Sequence, residues 1–116
     1  MKIFDCRYRP STAAWMDSFI KNPVYAEYMQ RTAFKDKPVT DMAGCVRQLQ
    51  ELGVEKAVVT GRDIETTFGA VPSNDLVDAC TRDYPALFIG VYGYDPHKGM
   101  KGYKALKRAI EEKKSF

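Results

Sequence analysis

The sequence is poor in the residues that mark several common classes of protein. Its 116 residues include one histidine, one tryptophan and three cysteines. Eight glycines and six prolines are too few for a collagen-like or low-complexity chain, and three cysteines are too few for a small disulfide scaffold. No apolar run approaches the roughly 20 residues that cross a bilayer, and the N-terminus lacks a signal-peptide core. We therefore expect a globular, cytoplasmic protein with no membrane partner.

The charge balance is small and evenly distributed. Eighteen Lys and Arg residues against 15 Asp and Glu residues give a formal net charge of +3. Because no segment concentrates the basic residues, the sequence predicts no nucleic-acid partner. A hydrophobic content of 45% is enough for a core. The odd number, wide spacing and apolar neighbours of Cys6, Cys45 and Cys80 predict reduced, buried thiols.

Short β-type runs alternate with helical patterns along the chain. Runs at 2–6, 56–60 and 87–92 predict strands, and their lack of strict alternation predicts that both of their faces are covered. Apolar residues at helical spacing predict three longer helices, the first capped by Thr40 and the second by Ser73 or Asn74. This order predicts an α/β fold of parallel strand–helix repeats. The helical stripes are Met42, Cys45, Val46, Leu49 and Leu52; Leu76, Val77, Cys80 and Tyr84; and Tyr103, Leu106, Ala109 and Ile110.

An aromatic segment at about 11–38 interrupts these repeats after the first strand. Trp15 and Phe19, like Met16 and Ile20, are four residues apart, which is typical of a helix. The segment predicts a helical insertion. It is either a hairpin packed on the domain, or a lid or subunit contact, because long loops at this end of a parallel sheet often cover a site.

Arginines follow two of the three predicted strands. In a parallel layout, groups just beyond the carboxyl ends of the strands converge on one surface. Arg7 and Arg9 follow the first strand, Arg62 follows the second and Asp95 the third. Guanidinium groups suit carboxylates and phosphates. We therefore predict that these four residues line a binding site for a small anionic substrate.

A structural role is the alternative for these residues. Each arginine would then pair with a nearby acid, such as Asp5, Asp63 or Asp95, and hold the strand ends together. The single histidine, His97, lies in a turn beside proline and glycine, where a surface or capping role is expected and general acid–base catalysis is the alternative. No catalytic residue is assigned.

Five segments combine in a distinctive order and spacing: MKIFDCRYRP at 1–10, ELGVEKAVV at 51–59, NDLV at 74–77, YPALFIG at 84–90 and DPHKG at 95–99. Together they resemble the N-terminal portion of the amidohydrolase-related (amidohydrolase 2) family, which includes decarboxylases, hydratases and lactonases. The resemblance implies a partial (β/α)8 TIM barrel with about three βα units. It also implies an amidohydrolase-like hydrolase, or a related decarboxylase, acting on a small carboxylated substrate.

Two features depart from that family. Arg7 and Arg9 occupy the positions of two metal-binding histidines, and arginine offers no lone pair to a metal, so we predict no cofactor and no zinc site. A full barrel needs about 250 residues, so residues 1–116 form a single, incomplete barrel-like domain. We expect a homo-oligomer, or association with a missing C-terminal portion. A non-catalytic assembly or small-anion binding module is the alternative function, and a flavodoxin-like open sheet is the alternative fold.

Overall fold

The computed structural model describes residues 1–20, 23–32 and 38–113. Its described residues contain a three-stranded parallel sheet with strand order β1-β2-β3, and helices form the crossover connections between consecutive strands. The predicted α/β fold of parallel strand–helix repeats is confirmed. The elements are β1 (Ile3–Tyr8), α1 (Ala13–Ile20), α2 (Pro23–Arg31), α3 (Met42–Glu51), β2 (Val54–Thr60), α4 (Glu65–Phe68), α5 (Asn74–Asp83), β3 (Phe88–Val91), a 3-10 turn (Pro96–Lys98) and α6 (Gly99–Lys113).

The core lies between the sheet and the crossover helices α3 and α5. Crossovers of parallel strands are right-handed. When each crossover also leads to the adjacent strand in the same direction across the sheet, all crossover helices lie on one face of the sheet. On that face, Ala57 and Val59 of β2 are fully buried, and Phe88 of β3 is 3% exposed. They form one cluster with side chains from both helices, which include Leu49 and Val77.

No helix among the described residues covers the opposite face of the sheet, so the prediction of strands buried on both faces is not met by this part of the chain. Phe4 of β1 pairs with Lys56 of β2 on this face and is 55% exposed. Val58 and Ile89, paired across β2 and β3, are half-buried. The reason is topological: the same crossovers that cover one face leave the other without a helix. The apolar residues on this second face of the strands are therefore not buried by the described helices.

The helix ends differ from the sequence predictions in one case. Asp41, and not Thr40, caps α3: its Oδ1 accepts the backbone N–H of Gly44 at 2.7 Å. Ser73 is the N-cap residue of α5, but its hydroxyl accepts the backbone N–H of Arg62 at 2.9 Å instead of capping the helix. The chain leaves α3 through Gly53, whose φ of 78° favours glycine.

Two helices lie in the predicted insertion, and α1 packs into the core. Trp15 is 3% exposed and belongs to the main hydrophobic cluster. Its backbone carbonyl accepts the hydroxyl of Ser18 at 2.7 Å. This packing corresponds to the hairpin interpretation for α1. Residues 21–22 and 33–37, and the side chains of Phe19 and Ile20, lie outside the described residues.

The three cysteines are free thiols in different environments. Cys45 and Cys80 are buried as predicted, but Cys6 is exposed. The prediction of burial is wrong for Cys6, which lies in β1, a strand without a fully buried residue. Cys45 and Cys80 instead lie on α3 and α5, which pack onto the core. In the described part of the chain, no helix has the length and apolar character required to cross a membrane.

Candidate functional site

The loops after β2 and β3 meet at the carboxyl edge of the sheet. A Cβ atom on Gly93 would lie 2.6 Å from the backbone nitrogen of Asp63, so only glycine permits this approach. Asn74, at the start of α5, binds the same glycine twice: its Nδ2 donates to the Gly93 carbonyl at 2.9 Å, and its Oδ1 accepts the Gly93 N–H at 2.8 Å. These contacts fix the two loops against each other.

The buried carboxylate of Asp95 connects these two loops by hydrogen bonds. Its side chain is 1% exposed, Oδ2 accepts the backbone N–H of Thr66 at 2.9 Å, and Oδ1 accepts that of His97 at 3.0 Å. Hydrogen bonds from the Thr66 side chain and from these backbone groups hold the pKa of Asp95 below its ordinary value. The described contacts of this carboxylate are with the protein's own chain. Its predicted contact with substrate stays a prediction.

Lys98, which sequence reasoning did not select, forms two ion pairs at this edge. Its Nζ lies 2.8 Å from both carboxylate oxygens of Asp63 and 2.8 Å from Oε2 of Glu65. Hydrogen bonds from these two carboxylates raise the pKa of Lys98 above its ordinary value. No local pattern indicates this cluster, since Lys98 and Asp63 are 35 residues apart.

The predicted arginines occupy different positions at the edge. Arg7 lies within β1 and is exposed, with its backbone N–H donating to Oδ1 of Asp5 at 2.9 Å. Arg9 follows β1 and is half-buried. Arg62 follows β2, and Ser73 binds its backbone at both N–H and carbonyl. Arg9 and Arg62 both have interaction partners within the protein.

The Arg7 guanidinium differs from the other two. Within residues 1–20, 23–32 and 38–113, it has no ion-pair partner. The acids considered as its partners have other donors: Asp63 binds Lys98, Asp95 binds two backbone N–H groups, and Asp5 binds the Arg7 backbone. Arg7 therefore presents an exposed positive charge at the carboxyl end of the edge strand.

Half-buried Tyr8 and buried Cys80, both at the core, are held in their neutral forms. Burial, followed by a hydrogen bond with Cys45, raises the pKa of the Tyr8 hydroxyl above its ordinary value. Burial raises the pKa of the Cys80 thiol to about 11. At neutral pH, Cys80 is therefore a thiol and not a nucleophilic thiolate.

Metal ions in proteins require a set of several ligands from nearby side chains. Among the described residues, no group of three or more His, Cys, Asp or Glu side chains is placed to hold a metal ion. Arg7 and Arg9 do not fit the divalent ion that the family resemblance implies, because a guanidinium offers no lone pair.

Comparisons with family models, with curated proteins and with solved structures found no match to this chain.

Proposed function

We propose that the chain forms the first βα units of an amidohydrolase-like enzyme, a hydrolase or related decarboxylase, and binds a small carboxylated substrate at the carboxyl edge of its sheet. The consecutive parallel order β1-β2-β3 supports this proposal, because successive units of a (β/α)8 barrel follow that order. A flavodoxin-like sheet instead places the first strand between the second and third. Here β1 is at the edge.

The exposed charge of Arg7 is the observation that carries the proposal. Binding sites of parallel sheets lie at and beyond the carboxyl ends of the strands. Arg7 is the next-to-last residue of β1, and Arg9 directly follows the strand. A guanidinium can bind a carboxylate through two parallel N–H groups. No described acid pairs with Arg7, so a substrate carboxylate that binds there does not have to displace any of these acidic side chains.

The uncovered sheet face supports the proposal that more protein completes the domain. Half-buried Val58 and Ile89 and exposed Phe4 form an apolar surface on the face opposite the crossover helices. In a closed barrel, this face would be the packed interior. The proposed partner is a C-terminal portion of the barrel or another copy of the chain. Three free cysteines suit the reducing cytoplasm that we expect for it.

A non-catalytic small-anion binding module is the second candidate. It is favoured by the contacts of Asp95 and Lys98, since the buried carboxylate binds two backbone N–H groups and the ammonium binds two carboxylates. A general acid or base must exchange protons with its substrate. These two groups instead stabilise the loops on which Arg62 and His97 lie.

Anion binding by the 116-residue chain tests the common step of both candidates. Isothermal titration calorimetry with malonate should detect binding, and Arg7→Gln should weaken it by at least about tenfold, as expected for loss of a charge-assisted contact. Arg47→Gln, an exposed arginine of α3, is the matched control and should bind as the parent does. Equal binding by the parent and Arg7→Gln would contradict the proposal.

Turnover separates the two candidates. NMR spectra of small lactones, amides and carboxylic acids incubated with the chain should show product with the parent and less with Arg7→Gln, if the enzyme proposal is correct. Malonate binding without turnover of any of these substrates would favour the binding module.

A further inference from the structure

A cavity lies at the carboxyl edge of the sheet, on the side of α6. It measures about 540 Å³ and is located between α6 and the loops that follow β2 and β3. This volume is within the range of about 300–1,000 Å³ that is usual for small-molecule sites. The C-terminal part of its α6 wall is apolar and consists of Ala105, Leu106 and Ala109. Arg7 and Arg9 do not line the cavity. The cavity is therefore distinct from the anion site proposed above.

One side of this cavity carries surplus negative charge. The three N–H groups of the Lys98 ammonium match its three contacts of 2.8 Å, two with Asp63 and one with Glu65. Two carboxylates thus share one ammonium, which leaves one negative charge uncompensated within the cluster. The Asp63 side chain is 15% exposed and that of Glu65 is 55% exposed, so Glu65 is the carboxylate accessible to a ligand.

The opposite charge is supplied from α6. Lys101 lines the cavity, is exposed, and has no ion-pair partner in the part of the chain that the structure describes. It lies in the first turn of α6, three residues after Lys98, which ends the preceding 3-10 turn. The cavity thus combines an incompletely neutralised carboxylate, an unpaired ammonium and an apolar wall.

We propose that this cavity binds a small zwitterion with an aliphatic side chain, which is the chemistry of a free aliphatic α-amino acid. Glu65 binds the ligand's ammonium, Lys101 binds its carboxylate, and Leu106 contacts its side chain. An amine alone would leave the Lys101 ammonium uncompensated, and an acid alone would leave the surplus negative charge of the Asp63–Glu65–Lys98 cluster uncompensated. The zwitterion satisfies both and adds no net charge to the site.

Three ligands of similar shape test the proposal. L-leucine carries both charges, isocaproate lacks the ammonium, and isoamylamine lacks the carboxylate. Calorimetry with the 116-residue chain should give an affinity for leucine at least about tenfold higher than for either analogue, because each lost contact is a charge-assisted hydrogen bond. Leucine binding no tighter than isocaproate or isoamylamine would overturn the proposal.

Two variants assign the contacts. Lys101→Gln should reduce leucine affinity to that of isoamylamine, and Glu65→Gln should reduce it to that of isocaproate. Lys104→Gln is the matched control, since Lys104 is exposed on α6 and does not line the cavity. Lys101 and Lys104 are exposed and have no ion-pair partner among the described residues, so unchanged thermal melts are expected for their variants. Glu65→Gln removes the ion pair with Lys98, so a small decrease of its melting temperature is expected, and its leucine affinity is measured below that transition. Equal leucine binding by Lys101→Gln and Lys104→Gln would overturn the assignment.

The Arg7→Gln variant distinguishes this site from the carboxylate site. It should bind leucine with the parent's affinity even where it has lost malonate binding. Loss of both ligands in this variant would overturn the inference of a separate cavity site.

Discussion

Truncation of Trp15 tests whether α1 is part of the core or a detachable lid. Trp15 is 3% exposed and packs in the cluster that includes Leu49, Val77 and Cys80. Trp15→Ala would remove an entire buried indole between α1 and the crossover helices. If the insertion were a lid that opens independently, its loss would hardly change the unfolding of the rest of the domain.

The expected cost follows from this burial. Truncating a buried Phe or Trp to Ala lowers the free energy of unfolding by about 3–5 kcal/mol, through lost transfer free energy and the cavity that remains. A domain of this size has a total free energy of unfolding of about 5–15 kcal/mol. With a urea slope of about 2 kcal/mol per molar, a loss of about 4 kcal/mol lowers the midpoint by about 2 M.

Urea unfolding followed by far-UV circular dichroism measures this change. Tyr28→Ala is the control, because Tyr28 lies on α2 of the same insertion and is 53% exposed; its effect should stay within about 0.5 kcal/mol. In the parent, fluorescence of the single tryptophan provides a second probe. Its transition should coincide with that of the circular dichroism signal.

Two results would refute the reasoning. A Trp15→Ala variant that loses less than about 1 kcal/mol would show that the indole contributes little to the core. A fluorescence transition at lower urea than the circular dichroism transition would show that α1 detaches before the sheet unfolds.

Two further predictions concern the thiols and the buried carboxylate. In the folded chain, Ellman's reagent should react rapidly with Cys6, whereas Cys45 and Cys80 should react only after unfolding. These two thiols are buried, and the pKa of Cys80 is raised to about 11. Rapid reaction of more than one thiol would contradict this burial. The folded-state pKa of Asp95 is lowered, so its stabilising contribution is present at neutral pH and is lost as the pH falls below about 4 through that pKa. In thermal melts, Asp95→Asn should therefore have a lower melting temperature than the parent at about pH 7, and this difference in melting temperature should narrow at about pH 3. The control Asp17→Asn, at an exposed position, should have the melting temperature of the parent at both pH values. A difference that is constant across this pH range would show that the charge of Asp95 does not contribute.

The strands were predictable because their signals are local. Runs of β-branched residues lie at 56–60 and 87–92, and the strands Val54–Thr60 and Phe88–Val91 lie in the same places. Helical spacing likewise predicted α3, α5 and α6. The cap of α3 was misassigned to Thr40, although the neighbouring Asp41 is the better N-cap residue by composition. Only the backbone geometry decided that Asp41 binds Gly44.

The candidate site was less predictable than the fold. The sequence placed Arg7, Arg62 and Asp95 near strand ends, and the structure locates them there. It did not predict which charges are neutralised, because that depends on pairs distant in the sequence. Lys98 and Asp63 are 35 residues apart, and Thr66 and Asp95 are 29 apart.

The sequence by itself determined the order of strands and helices, since hydrophobic period and turn residues act within a few positions of each other. Tertiary structure alone decided which side of the sheet is covered and which charges remain unpaired. Parallel strands joined in the order β1-β2-β3 carry their crossover helices to one face, so Val59 is buried while its neighbour Val58 faces the uncovered side. The same folding brings Lys98 to Asp63 and leaves Arg7 exposed, which no local pattern encodes.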